Sequence, residues 1–581
     1  MGSVTGGDLI ADVLAAEGVE KVFGLPDGTY MGLLNGLETR GIPIVTPRHE
    51  TTALHMAGAY ARLTGRLGVA IASNGPGVAN ALPGVAVENA EGNRVLLITS
   101  SRRVAITDPD RGGAYQYFDQ VATITPIAKW SARAVSAQRV PELLRTALRE
   151  SFRGRPGVVH LDVPENVMNG KTKPAPVWQP RRYRRVDPLV PDPQLVERAA
   201  QRLAQAALPI IHAGGGVIHA RAHEQLARVA ELLHAPVTTS WSGRGSMSET
   251  SPLVWPITAI EATNEVRNAA DVVLVIGSRI GETDWWGKAP NWRQDQQVIQ
   301  VDVDEAVFGS NKPVDLAIPS DAATFLEALA KALEGKQDED LLNARRPEVD
   351  LLIASRMDKA ARLDKHLEDR SVPMNTAHVP ATCMEVFDDD AVFVVDGGNT
   401  AVWANFFLQV RTPGTMLATP HFGMLGAGLG QALGAAEAFG DRQVCCIIGD
   451  GAFGFHPQEI ETAVRNGNRI VFLVVTDRQW GMVKMSQSMA RHPVKMLVRK
   501  SLDPDETINT ELGEIGYDAM ARSMGAHGER VADPGQLRPA IERSLATGGC
   551  AVIHVDVDPK KHLWAPGLMH FKKMHQEPEG K

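Results

Sequence analysis

Cysteine is scarce in this chain, with Cys383, Cys445, Cys446 and Cys550 the only four, and none stands at a spacing that chelates metal. Cys445 and Cys446 fall in an apolar run and Cys550 immediately precedes another. A disulfide scaffold and a cysteine zinc site are excluded, and free thiols in a cytoplasmic protein are expected. Long apolar runs are missing too. None reaches membrane length, and the amino terminus shows no charged-then-apolar leader. No long basic run occurs and the net charge is −8, which argues against nucleic acid or an anionic membrane as partner. The basic cluster Arg181-Arg182-Tyr183-Arg184-Arg185 lies in a proline-rich stretch and reads as a solvated linker.

What is abundant points elsewhere. A chain of 581 residues, 44% hydrophobic and with 54 glycines, exceeds one core and suits a large soluble α/β enzyme of two to four domains. Three blocks of alternating apolar runs and helical periodicity are visible. The first has strand-like segments at 21–23, 42–45, 68–72, 95–99 and 158–161. The second has them at 209–213, 272–276 and 297–301. The third has them at 391–395, 444–448, 470–475 and 551–555. The expected fold class is α/β, with three doubly wound parallel-sheet domains at 1–170, 190–335 and 375–558. A proline- and arginine-rich connection and a charged, partly helical one join them. The tail, 559–581, reads as irregular, yet Leu563, Trp564, Leu568, Met569 and Phe571 make it too apolar to be solvated, so it is expected to dock, either over the active-site entrance as a lid or on a neighbouring subunit far from the site.

The chemistry concentrates in the third block. Gly449-Asp450-Gly451 closes one apolar run, and the next ends at Asp477. Adjacent parallel strands deliver both carboxylates to one crevice at their carboxyl ends, where α/β sheets bind ligands. Two oxygen ligands with nearby backbone carbonyls suit a hard cation carrying a diphosphate. The spacing resembles the signature of thiamin diphosphate-dependent enzymes, in which GDG is followed by an Asn-Asn pair. Here Thr476-Asp477 stands at that pair, and Arg478-Gln479-Trp480-Gly481 matches the continuation. The chain is similar over nearly its whole length to the acetolactate synthase, benzaldehyde lyase and 2-oxo acid decarboxylase superfamily.

That resemblance implies a set of roles. Asp450, Asp477 and the Gln479 carbonyl would hold Mg²⁺. Gly449, Gly451 and the amides of Ala452 and Phe453 would face the diphosphate at a helix start. Asn399 and Thr400, in Asp396-Gly397-Gly398-Asn399-Thr400, would bind phosphate oxygens. In the segment 421–430 the Gly423 carbonyl would accept from the pyrimidine amino group, Leu425 would bend the cofactor into a V, and His421 would stand at the mouth. Glu50, in the match HExxAxxMAxxYARxTG, would hydrogen-bond pyrimidine N1′ as the essential acid. Pro76 and Asn80, in the GPGxxN loop, would line the pyrimidine pocket, and Asp27 and Gln116 would approach substrate.

The resemblance further implies that Glu50 and Asp450 of one site belong to different chains, giving a dimer or tetramer. In the central block, His212-Ala213-Gly214-Gly215-Gly216 and Gly277-Ser278-Arg279 read as nucleotide-type turns. The glycine-rich segment of FAD-binding relatives is absent at 252–257, so FAD is disfavoured, while ADP and CoA stay open. The expected activity is carbon–carbon bond making or breaking beside a carbonyl, acetolactate-synthase-like, on a 2-oxo acid or related compound. The alternative is a 2-hydroxyacyl-CoA lyase or oxalyl-CoA decarboxylase type of enzyme, in which Lys484, Arg491, Lys495, Arg499 and Lys500 would meet a CoA thioester.

Overall fold

A computed structural model describes residues 2–336 and 338–574. Three six-stranded sheets follow one another along the chain, and every strand pair within them is parallel. The first sheet runs, edge to edge, Ile44–Val45, Val22–Gly24, Gly68–Ala72, Val95–Ser101, Val158–Pro164 and Trp130–Arg133. The third runs Met416–Leu417, Val392–Asp396, Val444–Gly449, Ile470–Thr476, Ala551–Asp556 and His527–Val531. Numbered by chain order within each sheet, both read 2-1-3-4-6-5. The central sheet, of Val254–Trp255, Val237–Thr239, Pro209–Ala213, Val272–Ile276, Gln297–Asp302 and Leu316–Pro319, reads 3-2-1-4-5-6.

In the first and third sheets the winding direction reverses between strands 1 and 3, and such a switch point opens a crevice at the carboxyl ends. In the third sheet those strands are Val392–Asp396 and Val444–Gly449, which end in Asp396 and at Asp450. The strands are uninterrupted apolar runs because helices cover both faces. Every residue of Val444–Gly449 and of Ile470–Thr476 is buried.

The first and third sheets share one apolar core, joined where the helix Glu50–Thr64 crosses the helix Ala427–Ala438. The crossing depends on glycine. A Cβ on Gly434 would stand 2.5 Å from the Met56 carbonyl oxygen, and one on Gly430 would stand 2.6 Å from the Cβ of His55.

The connections depart from expectation. The proline- and arginine-rich segment is not simply solvated, since Tyr183 is buried and the Arg184 guanidinium pairs with Glu17 at 2.6 Å. Arg184 also lies over the Phe152 ring at 3.6 Å, so the basic cluster partly serves as packing. The charged connection contains one long helix, Glu339–Ala361. The tail is helical rather than irregular, with the helices Pro559–His562 and Leu568–Met574. Asp558 caps the first by accepting from the amides of Lys560 and Lys561, with proline at the first helical position. Leu563 and Leu568 are buried against Met485 and Met496, while Met569 is exposed. Residues 575–581, the end of the expected tail, lie outside the described residues, as does the side chain of Phe571.

Candidate active site

Three strand ends of the third sheet converge on a cavity of about 470 Å³. Asp396, Gly449, Asp450, Gly451, Ala452, Asp477 and Gln479 line its floor, Asn399, Thr400, Gly423 and Leu425 its sides. Asp450 is fixed by two backbone amides, Gly451 N on Oδ1 at 2.8 Å and Arg478 N on Oδ2 at 2.9 Å. Asp477 accepts from Gln479 Nε2 at 3.0 Å. Burial, and for Asp450 also the charge of Asp477, pushes both carboxyls up to about 7. Two buried, mutually repelling carboxylates form a site that a cation would relieve. The Gln479 carbonyl already accepts from Gly481 N at 2.9 Å and keeps one lone pair. Among the described residues no group of three or more His, Cys, Asp and Glu side chains forms a metal site. A cation here would therefore need backbone and ligand oxygens besides this pair, which is the habit of Mg²⁺ with phosphates.

The phosphate-side residues fit a polyoxygen anion. Asn399 is 3% exposed, and both its amide nitrogen and its amide oxygen lack a hydrogen-bond partner. Such groups are costly when buried unless a ligand completes them. Glycine leaves the room: a Cβ on Gly481 would stand 2.7 Å from Asn399 Nδ2, and one on Gly451 would stand 2.7 Å from the Trp480 ring. The Phe453 ring is turned into the core, edge-on to Tyr517 at 5.2 Å, so only its backbone is available to a ligand.

Several lining residues make contacts, or reach the cavity, in ways that carry no sequence signal. Asp396 accepts from the amides of Gly426 at 2.9 Å and Gly428 at 2.8 Å, and so ties the turn that carries Leu425 to the strand end. Burial raises its carboxyl to about 6. Its Asp-Gly-Gly-Asn setting was legible, but its partners lie on a distant segment. Arg62 and Trp241 reach the cavity from the other two blocks, Arg62 donating to the Ser242 carbonyl at 2.9 Å. His562 enters from the tail, and burial pushes its imidazole down to about 3, so the ring is neutral.

Glu50, Asp27, Pro76, Asn80 and Gln116 do not line this cavity. They gather at the switch point of the first sheet. Glu50 is 7% exposed and accepts from Asn80 Nδ2 at 3.1 Å. Gly77 leaves Glu50 its room, since a Cβ there would stand 3.1 Å from Oε1. Pro76 starts the helix Pro76–Glu91, and Asn74 Nδ2 donates to the Gln116 carbonyl at 3.2 Å. Asp27 caps the turn Gly28–Tyr30 and accepts from Thr29 N at 2.8 Å. His421 is also off the cavity lining. Its Nε2 lies 2.6 Å from Ser242 Oγ, and its amide donates to Glu91 Oε1 at 2.9 Å. The glycine turns of the central block pack on each other, a Cβ on Gly214 standing 2.2 Å from the Gly277 carbonyl oxygen.

Comparison with known proteins matches three family descriptions in chain order. They are the thiamine pyrophosphate enzyme N-terminal TPP binding domain over residues 4–123, the central domain over 196–329, and the C-terminal TPP binding domain over 396–555. The acetolactate synthase large subunit of Mycobacterium tuberculosis is 31% identical, covering 95% of this chain and 96% of that protein. A probable acetolactate synthase large subunit of Methanococcus aeolicus is 27% identical, with coverage of 96% and 93%. The 2-hydroxyacyl-CoA lyase of Arabidopsis thaliana is 28% identical, covering 98% of each.

Proposed function

The chain belongs to the thiamine pyrophosphate enzyme family, and from that premise we propose that it makes or breaks a carbon–carbon bond beside the carbonyl of a 2-oxo acid, in the manner of an acetolactate synthase. The observation that carries this reading is the cavity that gathers Asp450, Asp477, Asn399, Thr400 and Leu425 at one strand-end crevice. When bound, thiamin diphosphate supplies a thiazolium that takes up the electron pair released at a carbonyl carbon. Asp450, Asp477 and the Gln479 carbonyl would hold Mg²⁺, and Asn399 and Thr400 the diphosphate. Leu425 would fix the bend of the cofactor, at a turn that Asp396 keeps in place. Glu50 would hold a proton at pyrimidine N1′, with Asn80 orienting its carboxyl. Within one chain Glu50 and the cavity are separate, and Pro76 and Asn80 are exposed on the first turns of the helix Pro76–Glu91, as are the rings of Tyr115, Phe422 and Phe455 elsewhere. We infer that a second copy completes the site, so the active unit is at least a dimer.

A second reading, cleavage of a 2-hydroxyacyl-CoA, is favoured by the lyase relatives and by exposed Arg491 and Arg499 on the helices Gly481–Arg491 and Pro493–Arg499. Those helices continue from Trp480, Gly481, Met482 and Val483 in the cavity wall. Of the other basic candidates, Lys484 is buried and paired with Glu511 at 2.5 Å, Lys495 is paired with Glu506, and Lys500 lies over the Trp564 ring. The experiment is an assay with thiamin diphosphate and Mg²⁺ on pyruvate and, separately, on a 2-hydroxyacyl-CoA. Acetolactate and CO₂ from pyruvate are expected. Turnover of the thioester alone selects the second reading, and turnover of neither removes both.

A further inference from the structure

The tail sends one buried polar side chain into the cavity. His562 ends the helix Pro559–His562, is 3% exposed, and stands beside Asp477 and Thr400. Its ring is gripped from behind, Nδ1 lying 2.7 Å from Thr376 Oγ1. Its carbonyl accepts from Trp403 Nε1 at 3.0 Å. Nε2 is 3.4 Å from Thr400 Oγ1 and 3.9 Å from Asp477 Oδ2. The nearby carboxylate favours the tautomer with its hydrogen on Nε2, and Nδ1 then accepts from the Thr376 hydroxyl. The contact to Thr400 is long, so this N–H is poorly satisfied where it stands. In the same cavity both amide atoms of Asn399 are unpartnered. A histidine N–H, a hydroxyl and an amide thus face one space with little to bond to, which is the wall a polyoxygen anion completes.

We propose that His562 is a diphosphate-binding residue of this chain, its Nε2–H donating to a phosphate oxygen beside Thr400 and Asn399. The tail must then be docked for the cofactor to be held at full strength. Gln479 Nε2 reinforces the coupling by donating to the Pro559 carbonyl at 2.8 Å as well as to Asp477. Trp564, donating from Nε1 to the Lys500 carbonyl at 2.7 Å, fastens the segment that follows. The proposal rests on the thiamin diphosphate reading given above.

The test reads binding rather than turnover. Tryptophan fluorescence of the full chain is titrated with thiamin diphosphate and with thiamin monophosphate, each with Mg²⁺, for wild type, His562→Asn and His562→Gln. Asparagine keeps an amide near the Nδ1 position and hence the Thr376 contact, whereas glutamine places its amide nitrogen near Nε2. His562→Asn is expected to weaken diphosphate binding about 10-fold or more, the scale of a lost charge-assisted hydrogen bond. Monophosphate binding should change much less, and His562→Gln should recover most of the loss. Equal weakening of both ligands in His562→Asn, or no weakening, overturns the proposal. So does His562→Gln as weak as His562→Asn, because the ring rather than its donor would then matter. A wild-type chain that binds neither ligand overturns the cofactor reading itself, which is a different result from the first three.

Discussion

At the scale of single residues the two halves of the candidate chemistry separate cleanly. Glu50 is oriented by Asn80 and packed by Gly77, so a neutral isostere fits the same space. Glu50→Gln is expected to keep the fold and cofactor binding while lowering kcat about 100-fold or more, the scale of a lost general acid. Wild-type rates of C2 proton exchange in that variant would remove Glu50 from its role. Asp450 and Asp477 form a pair whose carboxyls are pushed up to about 7. A carboxyl raised above its unfolded value of roughly 3.9 stabilises the fold below that value and loses the contribution as pH rises through the folded value. The ligand-free protein should therefore lose stability between about pH 4 and pH 7 through this pair. Asp477→Asn removes one of the charges. Its Tm in the absence of Mg²⁺ should exceed that of wild type by more at pH 8 than at pH 5, with thiamin diphosphate binding retained. Asp450→Ala should abolish Mg²⁺-dependent binding by calorimetry, and binding as tight as wild type would mean the motif has another use.

At the scale of elements, packing glycines and the tail matter most. The crossing of Glu50–Thr64 over Ala427–Ala438 sets the first sheet against the third, and Gly434 permits it because a Cβ would meet the Met56 carbonyl at 2.5 Å. That oxygen is backbone and cannot swing aside. Gly434→Val should cost about 1–3 kcal/mol or more by overpacking, read as a fall in Tm. An unchanged Tm would show that the two helices slide apart freely. The tail is fastened through Leu563, Leu568, Trp564 and His562. Deleting residues 560–581 should leave a folded protein with weakened cofactor binding and reduced kcat, because the cavity loses part of its wall and its shield from water. Unchanged kcat and KM would show that the tail only packs.

At the scale of the whole molecule, separation of Glu50 from the cavity in one chain makes a complementation test decisive. Glu50→Gln and Asp450→Ala are each expected to be inactive alone. When the two are unfolded and refolded together, half of randomly paired dimers are mixed, and one of their two sites carries both wild-type residues, so about a quarter of wild-type activity should return. No recovery, with mixed dimers shown by native mass spectrometry, would place Glu50 and Asp450 of one site in the same chain.

What the sequence determined by itself follows from local chemistry. Buried parallel strands read as unbroken apolar runs, so 209–213, 272–276 and 444–448 were legible residue by residue. The Gly-Asp-Gly turn and Asp477 were legible because each ends such a run. The edge strand Ile44–Val45 is shorter than the apolar segment 42–45 that the sequence offers, since Pro43 carries no N–H for the ladder. The helical tail is not legible in the sequence because its start is one Asp-Pro cap on a single turn, too short for periodicity to register. Only the tertiary structure decided the rest. It brought His562, Arg62 and Trp241 to the cavity from the tail and the other two blocks, tied Asp396 to Gly426 and Gly428, and turned His421 toward Ser242 and Glu91. Those contacts join residues far apart in the chain, and no local pattern encodes them, because they form only when separately wound sheets and the tail pack against one another.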